Sequence, residues 1–233
     1  MTRPDPRILM VAGREIPLLV RRHVQARRIV LRIDLESDGV ALTLPRRAAL
    51  DEGLALARDR ADWILKCLAK LPPRVRFVPG AVMPLMGRQV LLRHDPRAQM
   101  PVRLAGDELI IGGHIEHFQR RLTDWLKREV KRALAPRAHE MAAQLGKRVA
   151  KIAVRDTRSR WGSCAPSGNL SFCWRLVFAP EWVIDYVVAH EVAHLAHMNH
   201  SQRFWKTVDA LGVRTDEARA WLDTNAERLQ RIG

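Results

Sequence analysis

Apolar and polar residues alternate over much of the first third of the chain, and apolar residues recur at intervals of three and four over most of the remainder. Alternation marks half-buried strands, and the longer recurrence marks amphipathic helices. "ILMVAGREIPLLVRR" therefore predicts two strands joined at Ala12-Gly13, and "RRIVLRIDLESDGVALTLP" a second pair turning at Asp38-Gly39. From Arg47 to Leu71 the spacing predicts one amphipathic helix, stopped by Pro72-Pro73. Short strands return in "VPGAVMPLMGRQVLLRH" and in "VRLAGDELIIGG", the latter turning at Gly106-Asp107. From His114 the pattern predicts one long helix ending at Gly146, broken or kinked at Pro136. "RVAKIAVRDTRSRWGSCAPSGNLSFCWRLVFAP" reads as strands again, with "APSGN" as a hairpin turn, and Pro180 opens the next helix. Two more helices follow, over about residues 202–211 and 215–230. No internal repeat is visible. A shift in composition at Gly112-Gly113 divides residues 1–112, β-rich with one helix, from residues 113–233, whether as two domains or as parts of one.

Composition narrows the class. The chain has 233 residues, 47% of them hydrophobic, enough for a substantial buried core. No apolar run approaches the roughly 18 residues of a membrane span, and "MTRPDPRILMVAGR" lacks the apolar core of a signal peptide. A soluble, cytoplasmic protein is expected. Three cysteines, Cys67, Cys164 and Cys173, are too few for a disulfide framework and lack the Cys-x-x-Cys spacing of a metal site. Forty basic residues against 25 acidic ones give a net charge of +15, which suits a nucleic acid or another polyanion. Only seven of the 40 are lysines, so the excess also fits a GC-rich coding bias, and no aromatic interleaving suggests base stacking.

The chemistry is concentrated in one stretch, "YVVAHEVAHLAHMNHSQRFW", which holds four of the nine histidines. His190-Glu191-Val192-Ala193-His194 has the spacing His-Glu-x-x-His. Residues four apart on a helix project from one face about 6 Å apart, so both imidazoles can reach one ion. Glu191, turned about 100° from His190, can reach a water on that ion without ligating it. A zinc held in this way brings its water to a pKa of about 7, and the glutamate takes the proton as the water attacks a carbonyl. A third protein ligand is required, and the candidates are His197 and His200. If the helix continues, His197 lies about 10 Å along the axis from His190. A turn at Asn199, a residue that tolerates the left-handed conformation, would bring His200 back over the ion and favours it. His197 then remains as a supporting or solvent-facing residue. The spacing His-Glu-x-x-His-x5-His matches that of metzincin proteases, but they place a glycine where this chain has His197.

The run from Arg158 to Trp205 closely resembles the YgjP-like metallopeptidase family. The resemblance rests on Arg160-Trp161-Gly162-Ser163-Cys164, Trp174-Arg175-Leu176, Ala179-Pro180 and Asp185-Tyr186-Val187-Val188. It continues through the His-Glu-x-x-His to Asn199-His200-Ser201 and Phe204-Trp205. It implies an α+β, zincin-like domain with His190, His194 and His200 as Zn2+ ligands, Glu191 as general base, and a peptide or protein substrate. The chain is more distantly similar to SprT-like proteases, which act on proteins attached to DNA. Two other readings are consistent with the sequence: a DNA-associated protein whose zinc is structural, and a protease recruited to DNA by its Arg-rich surface.

Two further expectations concern the substrate. An extended peptide can add to an exposed sheet edge, and "GNLSFCWRLVF", about residues 169–178, is that edge or its neighbour. Phe172, Trp174 and Leu176 alternate on one face and fit core packing. For the developing oxyanion, Tyr186 shares a helix face with His190, and Arg160, Arg175 and Asn199 are further candidates.

Overall fold

A computed structural model describes residues 5–233; the first four residues, part of the segment read for a signal peptide, lie outside them. The chain divides into two compact units, residues up to Pro73 and Arg74–Gly233. The break falls at the Pro72-Pro73 helix stop rather than at Gly112-Gly113. The strands between these points explain the difference: Met83, Leu85, Val90, Leu92, Leu109 and Ile111 share one core with the long helix that follows.

In the first unit, β1 (Asp5–Val11) and β2 (Arg14–His23) form the expected hairpin, and β3 (Val30–Asp34) and β4 (Gly39–Pro45) form a second. The sheet order is β1-β2-β4-β3, with β2 and β4 parallel. Its inward side chains, among them Leu9, Val11, Ile16, Leu18, Val40 and Leu42, form a separate core with Ala57 and Ile64. The expected single helix is two: α1 (Leu50–Asp59) and α2 (Ala61–Lys70), separated at Arg60, whose ψ of 18° leaves the helical range. Both still present apolar faces, so the periodicity survives a break that no proline announces.

The second unit begins with β5 (Val82–Leu85), β6 (Arg88–Asp95), β7 (Val102–Ala105) and β8 (Glu108–Gly112), in the order β5-β6-β8-β7 with β6 and β8 parallel. This repeats the topology of the first sheet. The register repeats too: Val11 pairs with Arg14 as Leu85 does with Arg88, and Leu18 with Val40 as Leu92 does with Leu109. Both first hairpins turn through a pair with positive φ, Ala12-Gly13 at 47° and 75° and Met86-Gly87 at 46° and 90°. Two left-handed residues in succession make the type I′ turn that matches strand twist, and glycine supplies the second without strain. An internal repeat is therefore present where none was expected. Its sequence trace is only a shared Gly-Arg at the turn, because the repeated property is which positions are apolar, not which residues fill them.

A short 3-10 turn leads into α3 (Phe118–Gln144), which runs unbroken through Pro136. Its buried residues Phe118, Leu122, Leu126, Val130, Leu134, Ala138 and Ala142 fall every four positions. A four-residue step overshoots one turn by about 40°, so the stripe winds around the helix and meets different partners along its length. It packs on β7 and β8, on β9 (Lys151–Arg155) and on α4 (Glu181–Ala193). The remaining elements are β10 (Gly162–Cys164), β11 (Asn169–Cys173), a 3-10 turn over Trp174–Phe178, α5 (Gln202–Ala210) and α6 (Thr215–Gln230). The result is an α+β fold in which the second unit carries the histidine helix. Among the described residues no helix is long and apolar enough to cross a membrane.

Candidate metal centre

Helix α4 is buried on nearly every side: Val183, Ile184, Val187, Val188, Val192 and Ala193 all lie in the core. A helix apolar all round is an interior helix, and its polar side chains are held where the packing puts them. One clamp is visible at its first turns. Arg137 of α3 donates to Asp185 at 2.6 Å and to Glu181 at 2.7 Å, and also to the Ala133 carbonyl of its own helix at 2.8 Å. Arg137→Met is expected to lower stability by about 1 kcal/mol, since the pairs are partly solvated. Urea denaturation would check this, and an unchanged midpoint would show that packing alone orients α4.

The regular helix ends at Ala193, earlier than a turn at Asn199 would require, and Asn199 is not left-handed. The chain reverses through 194–199, and His197 donates its N–H to the Ala193 carbonyl at 3.0 Å. This reversal brings His200 to the first two histidines. Single ligand atoms of His190, His194 and His200 all lie within 4.8 Å of one another, and among the described residues no fourth His, Cys, Asp or Glu joins them. His190 Nε2 and His200 Nε2 face each other at 3.1 Å. A tetrahedral ion with bonds of about 2.05 Å holds its nitrogen ligands about 3.3 Å apart, so the spacing fits a zinc-sized ion.

His194 shows why position 197 matters. Its Nδ1 hydrogen-bonds the His197 backbone carbonyl at 3.0 Å, which places the proton on Nδ1 and leaves Nε2 with a free lone pair. The support comes from the main chain of His197, and its imidazole is not a member of the cluster. Beneath the three rings lies Phe204 of α5, fully buried, with ring centroids 4.9, 4.6 and 4.7 Å from those of His190, His194 and His200. Trp205 packs against His190 and His200. Burial, together with the neighbouring imidazoles and Arg219, pulls the His190 pKa down to about 4, and burial lowers that of His194 as well. Both rings are thereby neutral at pH 7, the form that binds a cation. The donor set and its protonation fit a borderline divalent metal.

Glu191 projects into a cavity of about 380 Å³ beside the histidines. It is 6% exposed, and burial raises its pKa to about 7, with Arg160 opposing the rise. Its carboxylate lies against Gly162 of β10: a Cβ there would come within 2.5 Å of Glu191 Cγ and Oε1. The cavity is also lined by Arg160, Trp161, Tyr186 and Leu222.

Of the oxyanion candidates, Tyr186 and Arg160 reach this cavity. Arg175 does not. It is buried, pairs with Asp156 and stacks over Trp174 at 4.6 Å, and Asn199 is exposed outside the cavity lining. Sequence reading missed the wall contributed by α6, Arg219, Leu222 and Asp223, which no local motif announces. Phe204 and Trp205 were present in the quoted stretch, but nothing in their spacing reveals a platform for imidazoles.

Strand β11 is the centre of its sheet, ordered β10-β11-β9, so β10 is the edge beside Glu191. Residues 174–178 leave the strand for a 3-10 turn, yet Phe172, Trp174 and Leu176 are core as expected. Cys173 N–H bonds the Trp161 carbonyl, and Ala165 N–H the Asn169 carbonyl. The odd-numbered residues of β10 thus face β11, and the main-chain groups of Gly162 and Cys164 point outward. Cys164 and Cys173 are free thiols, bonded through Sγ to the Ala165 and Thr157 carbonyls.

No curated protein matches the chain. Among solved structures, the metallopeptidase zymogen abylysin of Pyrococcus abyssi is similar at 20% identity and a TM-score of 0.32, over 47% of this chain and 97% of that one. The profile of the YgjP-like, metallopeptidase domain family matches residues 27–225. That match spans most of both units and includes every residue of the histidine cluster and its cavity except Ala226, so the chain belongs to the YgjP-like metallopeptidase family.

Proposed function

We propose that this protein is a zinc peptidase in which His190, His194 and His200 hold the ion and Glu191 is the general base. The observation that carries the reading is the convergence of three imidazoles, two of them held neutral by burial, beside a cavity into which one buried carboxylate projects. When bound, zinc supplies the Lewis acidity that makes a water nucleophilic near neutral pH and polarises the scissile carbonyl. The chain's own groups do the rest. Glu191 accepts the proton of the attacking water on its carboxylate and delivers it to the departing amine nitrogen. The outward N–H and C=O groups of Gly162 and Cys164 hold the substrate main chain as an added strand. Tyr186 or Arg160, on the cavity wall, donates to the oxyanion. Zinc serving only as a staple would need a fourth protein ligand, and none joins the three histidines among the described residues. The three free thiols accord with a reducing compartment, the cytoplasm.

The ligand set is tested by comparing two neighbours. His200→Ala is expected to bind zinc substoichiometrically and to lose measurable hydrolysis of a quenched fluorescent peptide. His197→Ala is expected to retain both, because only its carbonyl is used. Retention of zinc and activity by the first variant and loss by the second would reverse the assignment. Chelation of the wild type should abolish hydrolysis, and added zinc should restore it.

A further inference from the structure

Two cavities flank the proposed reaction centre. Strand β10 and helix α4 both begin or pass at the first cavity and end at the second: the first takes Gly162 and Glu191, while the second, of about 330 Å³, takes Ala165 and His194, the residues that directly follow the two elements. A peptide laid along β10 is therefore placed to meet the first and, beyond Cys164, the second. Their charged residues are unbalanced. The first carries Arg160 and Arg219 against Asp223, apart from Glu191 itself, and the second carries Lys147 and Arg148 with no carboxylate in its lining. None of these four cations makes an ion pair of 4 Å or less among the described residues, although Arg219 stacks over Trp205 at 5.2 Å. Arg160, Arg219, Lys147 and Arg148 are all exposed.

Resting on the peptidase reading above, we propose that this cleft selects acidic peptides, with carboxylate side chains on both sides of the scissile bond recognised by Arg160 and Arg219 at one end and by Lys147 and Arg148 at the other. Side chains of an extended peptide alternate in direction, so those facing the cleft enter the cavities while the main chain bonds to β10. The first cavity matches glutamate in two respects: Val187, Leu222 and Ala226 offer apolar surface to its methylenes, and the guanidiniums at the rim offer charge-assisted hydrogen bonds to its carboxylate. A nucleic acid would also be drawn by these charges. The edge strand, however, presents main-chain donors and acceptors that match a polypeptide and have no counterpart in a phosphate backbone.

The test separates recognition from hydrolysis. Zinc-loaded Glu191→Gln protein is titrated with fluorescein-labelled ten-residue peptides that differ only in carrying Glu, Gln or Lys on both sides of the centre, with binding read by fluorescence anisotropy. The Glu peptide is expected to bind about tenfold tighter than the Gln peptide, and the Lys peptide weakest, as for a few charge-assisted hydrogen bonds. Arg219→Gln at one end, and Lys147→Gln with Arg148→Gln at the other, should each narrow the Glu-over-Gln ratio. Two independent ends keep the test valid should one variant fold poorly. Equal affinity for the Glu and Gln peptides overturns the proposal, as does absence of peptide binding. So does a twelve-nucleotide single-stranded DNA that binds tighter than the Glu peptide and is weakened by the same substitutions. Wild-type hydrolysis of the same peptides is scored separately. A binding preference without hydrolysis retains the acidic cleft and refutes the peptidase, whereas uniform hydrolysis of all three does the reverse.

Discussion

Glu191→Gln is expected to reduce peptide hydrolysis by about two to four orders of magnitude, the range associated with loss of a general base, while zinc stoichiometry stays at wild-type level. The amide matches the carboxylate in shape but cannot accept the proton of an attacking water. The substitution should also change stability, in a direction set by burial. A carboxyl moved from 4.5 to about 7 on folding favours the native state while it is protonated, and loses that advantage as pH rises through this window. Above pH 7 the native protein holds a buried charge that the neutral amide of the variant does not carry. In metal-free protein, Glu191→Gln should therefore exceed wild type by about 3 kcal/mol at pH 8, and by little at pH 4.5. Chemical denaturation in chelator at the two pH values would measure the difference. A variant as active as wild type would remove Glu191 from the mechanism. A stability gain independent of pH would show that its burial carries no titrating charge.

Gly162→Ala should cost nearly as much activity with little loss of stability. The added methyl would meet Glu191 Cγ and Oε1 at 2.5 Å, well inside contact distance. All the atoms met belong to the Glu191 side chain and none to backbone, so the side chain is expected to turn aside, into the cavity it borders, without disturbing the backbone of α4. That displacement is what hydrolysis cannot tolerate, because a shift of about 1 Å in a reacting group can lower the rate about 10²-fold. Steady-state kinetics should show the loss in kcat, with zinc content and denaturation midpoint close to wild type. Full activity in this variant would place the working carboxylate elsewhere.

Much of this site was readable before any fold was known, and the reasons are local. The i,i+4 relation of His190 and His194 follows from helix geometry, and Glu191 between them follows from the same rotation. The hairpins at Ala12-Gly13 and Gly106-Asp107, the long helix from Phe118 and the two C-terminal helices were legible because turn residues and apolar spacing act within a few positions. What escaped depends on distant partners. Leu222 and Arg219 line the same cavity as Glu191 only because α6 packs on α4, and no periodicity in α6 records that packing. The division after Pro73 escaped because strands β5–β8 read like those before them, and only their shared core with α3 assigns them to the second unit. The break at Arg60 and the early end of α4 reflect backbone choices that side-chain pattern leaves open.

The unequal setting of the three histidines has a kinetic consequence. In the proposed ligand set, His190 and His194 belong to an interior helix and its cap, whereas His200 is exposed and hangs from the short connector to α5. Two of the three would thus be offered by one packed element, and the third by an exposed one. If these three residues hold the ion, His200 would be the ligand expected to leave first in metal exchange, and the Phe204 and Trp205 rings that pack against it would set how readily it leaves. On that reading the residence time of the ion would depend on one aromatic pair on α5, separable from the helix that supplies the motif.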